Sequence, residues 1–164
     1  MLFKATEYFK KITGITIGFL RKNNIKGLIL DVDNTLTTHD NPVPADGVID
    51  WIESMKKNKI RLIIVSNNHE PRVKPFADML GIDFVCDGKK PLTKGFKEAL
   101  QKLGLSKKNI AIVGDQIFTD VLGANLFRTK ILYTAPIEYE KTTFFKVKRF
   151  LEKPFIPEKI KEKR

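Results

Sequence analysis

The chain has 164 residues, enough for one domain with a sizeable core. Its single cysteine, Cys86, excludes an internal disulfide, and with only His39 and His69 beside it no standard zinc spacing is present. Thirty Lys and Arg against 19 Asp and Glu give a formal net charge of +11, and the whole excess lies in the flanks, net +5 over residues 1–26 and net +6 over residues 141–164.

Residues 1–26 read as a basic amphipathic flank. A helix is expected over residues 7–20, weakened by Gly14 and Gly18. No run reaches the ~18 apolar residues of a membrane span. The apolar-rich stretch from Ile12 to Leu20 is followed by Arg21 and Lys22 rather than by a small-residue cleavage site, so a cytoplasmic location is expected. The middle, residues 27–140, alternates strand and helix. Strands are expected at 27–32, 61–66, 83–86, 110–113 and 130–133, and helices at 46–57, 72–80, 93–103 and 117–125. Such repeated βα units imply right-handed crossovers and a parallel sheet with helices on both faces. A last helix is expected over 143–153, with Phe144, Val147 and Leu151 on one side and Lys146, Arg149 and Lys153 toward the other, ended by Pro154. Residues 159–164 read as disordered.

The chemistry sits at the strand ends. The first strand runs into Asp31 and Asp33, the second into Ser66 and Asn67, and the fourth into Gly114-Asp115, with Asp120 five residues on; Lys89-Lys90-Pro91 lies between. Open parallel sheets gather strand carboxyl ends into one crevice, so these groups can converge. Carboxylates placed there are costly unless they bind a cation or do chemistry. The plainer alternatives are a turn with a helix cap for Asp31 and Asp33, and a charge favourable to a helix N-terminus for Asp120.

In order, DVDNTL, SNN, KKP and GDQIFTD resemble the four motifs of the haloacid dehalogenase superfamily, a likeness that spans about residues 26–133. SNNHEPRV and KKPLTKGF are most similar to its small YqeG-type branch, itself similar to mitochondrial phosphatidylglycerophosphate phosphatases. The resemblance implies a Rossmann-like three-layer α/β sandwich. Between Asp33 and Ser66, and between Ser66 and Lys90, there is no room for the cap domain many relatives insert. It also implies Asp31 as a nucleophile that forms an aspartyl-phosphate and Asp33 as general acid and base. Mg²⁺ would be held by Asp31, Asp115 and the backbone carbonyl of Asp33. Ser66 and Asn67 would bind the phosphoryl group, Lys90 would clamp it, and Asp120 would orient Lys90 or metal-bound water. Lys89 and Lys94 are alternatives to Lys90. His69 and Arg72 are placed to touch a headgroup, although His69, like His39, also reads as an ordinary loop histidine.

The basic flanks are interleaved with large apolar residues, among them Phe3, Phe9, Phe19, Phe144, Phe145, Phe150 and Phe155. Either these pack on the domain or they enter a partner surface. The expected activity is hydrolysis of a lipid phosphate ester, phosphatidylglycerophosphate to phosphatidylglycerol in phospholipid biosynthesis, by a peripheral protein on an anionic membrane face. The alternatives are a phosphatase for soluble small molecules or phosphoproteins, and an RNA- or ribosome-associated module with a vestigial core. No nucleic-acid motif appears, so nucleic acid is not the expected partner.

Overall fold

The apolar runs of the middle segment become the strands of one parallel sheet in the computed structural model, which describes residues 1–160. In chain order the strands are β1 (Glu7–Phe9), β2 (Gly27–Leu30), β3 (Arg61–Val65), β4 (Asp83–Val85), β5 (Ile110–Gly114) and β6 (Lys130–Thr134). Their order across the sheet is β1-β6-β5-β2-β3-β4, and every neighbouring pair is parallel. Leu28 stands opposite both Leu62 and Ala111, so β2 is held on both sides at the centre of the sheet.

Alternation along the strands sorts the core into two layers. Leu28, Leu30, Ile64, Val113 and Leu132 pack with α2 (Val48–Lys57) and α3 (Glu70–Leu80). Ile29, Ile63, Val65, Ile112 and Ile131 pack with α4 (Lys94–Leu103) and α5 (Leu122–Phe127). The result is the expected three-layer sandwich. Only α2 separates β2 from β3, and only α3 and β4 lie between β3 and α4, so no cap is inserted among the described residues. None of the described helices is long and apolar enough to cross a membrane.

Both flanks depart from expectation. The helix expected over 7–20 does not form. Residues Glu7–Phe9 instead add β1 to the edge of the sheet beside β6, and a 3₁₀ turn (Ile12–Gly14) and a short helix, α1 (Ile17–Lys22), follow. The run Ile15-Thr16-Ile17 is β-branched and Gly14 costs helix stability, so sheet pairing and core burial prevail. Thr16 caps α1, accepting from the Phe19 amide at 3.1 Å. Ile12, Ile15 and Leu20 are buried, and Trp51 Nε1 donates to the Ile15 carbonyl at 2.9 Å. Apart from the exposed Met1 and Leu2, the large apolar residues of this flank therefore serve the core.

The last helix, α6 (Thr143–Glu152), forms where expected, and its charged rather than its apolar side is the one that packs on the domain. Arg149 and Glu152 are buried, whereas Phe144 is 72% and Phe150 67% exposed, with Val147 and Leu151 also exposed. The charged side meets acidic and polar groups at the end of β5, so it turns inward. Ile160, expected in a disordered tail, is buried against the second core layer. The rest of that expected tail, residues 161–164, lies outside the described residues.

Candidate active site

At the centre of the sheet the chain leaves β2 toward β3 on one side, while β5 lies on the other. The crevice at such a reversal is where open α/β sheets place ligands. Asp31 enters it directly from β2, its amide donating to the Val113 carbonyl at 2.9 Å. Asp115 enters it from β5. Asp120 follows on a π-helical turn (Ile117–Val121) that leads into α5, and its side chain folds back over Gly114. A methyl group at Gly114 would overlap the Asp120 carboxylate, so glycine is required there for close approach.

Lys90 joins these groups. Its Nζ lies 2.6 Å from Asp31 Oδ1 and 2.7 Å from Asp120 Oδ1, all three side chains being buried. Asn67 fixes the Lys90 backbone from both sides, accepting from its amide at 2.7 Å and donating to its carbonyl at 3.1 Å. Lys89 and Lys94 are exposed, so of the three lysines left open by the sequence only Lys90 reaches the carboxylates. Ser66 is buried at the end of β3, where its Oγ accepts from the Asn68 amide at 3.1 Å. Thr35 Oγ1 donates to Asp31 Oδ2 at 3.3 Å.

Asp33 sits at the mouth. Three donors converge on it: Arg72 Nη2 at 3.0 Å, the Asp40 amide at 2.9 Å and Asn68 Nδ2 at 2.6 Å. Arg72, read from the sequence as a headgroup contact, is thus placed on Asp33 and on the Asn41 carbonyl. His69 pairs with Asp87 at the surface, and His39 lies beside Asp40 and the Phe145 ring.

Asp31, Asp115 and Asp120 each offer a carboxylate oxygen, all within 4.8 Å of one another. Burial, reinforced by the charges of Asp120 and Asp33, outweighs Lys90 and pushes the Asp31 carboxyl up to about 6. Burial likewise pushes Asp115 well above the ordinary carboxylate range, despite the opposing pull of Arg149. Burial alone would lower Lys90, but the Asp120 and Asp31 charges prevail and hold it protonated. Asp115 Oδ1 is buried without a hydrogen-bond partner. Crowded carboxyl groups and an orphaned carboxyl oxygen fit a hard divalent cation bound through oxygen. Protons should compete with that cation. Because the folded Asp31 carboxyl is pushed up to about 6, lowering the pH from 7 to 5 is expected to weaken binding of a divalent cation by about ten-fold or more. Calorimetric titration at the two pH values measures it, and equal affinities would refute it.

The sequence reading missed three residues. Arg149 bonds Asp115 through both the carboxylate and the backbone carbonyl, and Glu140 and Glu152 hold Arg149. The spacing of Arg149 and Glu152 along the helix is visible in the sequence, but it also marks ordinary solvated helix faces.

A model of haloacid dehalogenase-like hydrolases matches residues 38–127. The probable phosphatase YqeG of Bacillus subtilis (strain 168) is 44% identical over 123 residues, which cover 75% of this chain and 72% of that protein. Solved structures share the fold, two of them as follows. The cobalt-bound deoxy-D-mannose-octulosonate 8-phosphate phosphatase of Haemophilus influenzae has a TM-score of 0.53 at 20% identity, over 77% of this chain and 75% of that one. A haloacid dehalogenase-like hydrolase of Brucella suis 1330 has a TM-score of 0.60 at 12% identity, over 76% and 88%.

Proposed function

The chain belongs to the haloacid dehalogenase-like hydrolases and is a phosphatase, and from that premise we propose that it hydrolyses a membrane-lipid phosphomonoester, phosphatidylglycerophosphate, at an anionic membrane face. Asp31 attacks phosphorus as the phosphorus–oxygen bond to the glycerol breaks, giving an aspartyl-phosphate. Asp33 donates its proton to the leaving alkoxide, then takes one from the water that attacks the acyl-phosphate. Inorganic phosphate leaves and Asp31 is restored. Lys90 offsets the repulsion between the carboxylate and the phosphate dianion, with Asp120 positioning Lys90. Ser66 and Asn67 hold phosphoryl oxygens. Asp31, Asp115 and the Asp33 carbonyl would hold Mg²⁺, which when bound neutralises phosphoryl charge.

The lipid part rests on α6. This helix lines the crevice: Lys148 bonds Gln116, Arg149 bonds Asp115, and Glu152 accepts from the Phe118 amide. Its outer face presents Phe144, Val147, Phe150 and Leu151, an apolar stripe that Phe118 extends into a shallow groove. Lys141, Lys146 and Lys153, with Phe150, border a neighbouring cavity of about 800 Å³. A lysine near an anionic bilayer contributes about 1 kcal/mol before screening by salt, and inserted phenylalanines add apolar burial. An open crevice without a cap suits a substrate held in a surface.

The test is phosphate release from phosphatidylglycerophosphate in mixed micelles, with Mg²⁺ and with EDTA, beside a soluble aryl phosphate. Metal-dependent release is expected. Phe144→Ser combined with Phe150→Ser is expected to slow the micellar reaction about ten-fold or more while leaving the aryl phosphate rate unchanged. Turnover of the aryl phosphate with no release from the lipid would keep the chemistry and discard this substrate.

A further inference from the structure

Arg149 is bonded in a way a solvated helix arginine is not. A guanidinium has five N–H donors, and each of the five finds a protein acceptor. Nη2 donates to Asp115 Oδ2 and, at 2.8 Å, to Glu140 Oε1. Nη1 donates to the Asp115 carbonyl at 2.9 Å and to Glu152 Oε2 at 3.2 Å, and Nε to Glu140 Oε2 at 3.1 Å. Both glutamates are themselves held: Asn34 Nδ2 donates to Glu140 at 3.0 Å, and the Phe118 amide to Glu152 at 3.2 Å. Asn34, with φ of 61°, belongs to the turn that follows Asp33. The network therefore ties the loop after β2, the loop after β5 and α6 to one carboxylate.

A buried ion network of this kind is weak support for stability, because well-packed apolar residues usually do as well. Its effect on Asp115 is more specific. Arg149 takes Oδ2, and Oδ1 is left buried with no partner, beside Asp31 and Asp120. We infer that Arg149 is a positioning residue for the cation site: with Glu140 and Glu152 it clamps Asp115 in the rotamer that leaves Oδ1 for the metal. This rests on the proposed reading that Asp31 and Asp115 hold the cation. Partners that orient a metal ligand commonly change affinity by about 10–100-fold when removed.

The experiment is Mn²⁺ binding to the full chain, read as loss of the free-ion electron paramagnetic resonance signal, at fixed pH and without substrate. Arg149→Met is expected to raise the Mn²⁺ Kd by about ten-fold or more, with Arg149→Lys between it and wild type, since lysine keeps the charge but not the fork. Circular dichroism shows whether each variant folds. If Arg149→Met does not fold, Glu140→Gln, which loosens the clamp and keeps its shape, is expected to raise Kd about three-fold or more. A folded Arg149→Met (or Glu140→Gln in its place) that binds within two-fold of wild type, or more tightly, overturns the inference. Asp115→Asn separates the two levels. Loss of Mn²⁺ binding in that variant but not on altering the clamp defeats the positioning role alone, and unchanged binding in Asp115→Asn defeats the assignment of the site as well.

Discussion

Asp31→Asn is expected to abolish phosphatase turnover, lowering kcat by about 10⁴-fold or more, and at the same time to make the metal-free protein more stable near neutral pH. The loss follows from the proposed chemistry, in which an amide at this position cannot form the acyl-phosphate. The gain follows from burial. In the folded chain the Asp31 carboxyl is raised from 3.8 to about 6, so between those values the folded state binds more protons than the unfolded state. Stability from this group is therefore greatest at low pH and falls as pH rises through the folded value. Above pH 6 the full penalty, up to about 3 kcal/mol, applies to the metal-free wild type. Asparagine removes it, but Lys90 then keeps only Asp120 as an ionic partner, so a net gain of about 1–2 kcal/mol is expected. Urea denaturation in EDTA measures it at pH 8 and pH 5, and the advantage should shrink at the lower pH. A variant less stable than wild type at pH 8, or one that retains turnover, would contradict the assignment.

Lys90→Met has the opposite signature. It leaves Asp31 and Asp120 buried without the cation that lies within 2.7 Å of both. Breaking a buried ion pair by removing one partner commonly costs about 3–5 kcal/mol. That cost should appear at pH 8 in EDTA and lessen at pH 5, where the Asp31 carboxyl accepts a proton. Turnover is expected to fall by about 10²-fold or more even under conditions where the variant is folded, because in the proposed mechanism Lys90 supplies the preorganised positive charge for the phosphoryl group. Lys89→Met and Lys94→Met change exposed residues and are expected to stay within about 0.5 kcal/mol of wild type. Equal behaviour of all three variants would show that Lys90 has no special place.

These variants also mark how far local reading carries. Asp31 stands at the end of β2 because Leu28, Ile29 and Leu30 are an apolar strand run, and Asp115 stands at the end of β5 for the same reason. Both facts lie within a window of a few residues, as does the assignment of α2, α3 and α4 from their apolar spacing. The choice among Lys89, Lys90 and Lys94 does not. It turns on the irregular backbone from Asp87 to Pro91, where Asp87 and Lys89 both take positive φ, and on the grip of Asn67, more than 20 residues away. The N-terminal segment shows the same limit. Its residues permit either a weak helix or a strand, and a free edge beside β6 decided for the strand.

By itself the sequence determined the alternation of strands and helices, the two-layered core and the placing of carboxylates, serine and lysine near strand ends, because strand period, helix period and turn chemistry are local properties of the chain. Only the tertiary structure decided which side of α6 is buried. Periodicity shows that a helix has two faces, but the choice between them depends on what lies opposite. Here that is Asp115 and Glu140, so the charged face turned inward and the phenylalanines outward. The clamp on Asp115 joins residues 34, 115, 140, 149 and 152, and no periodic signal links positions so far apart in the chain.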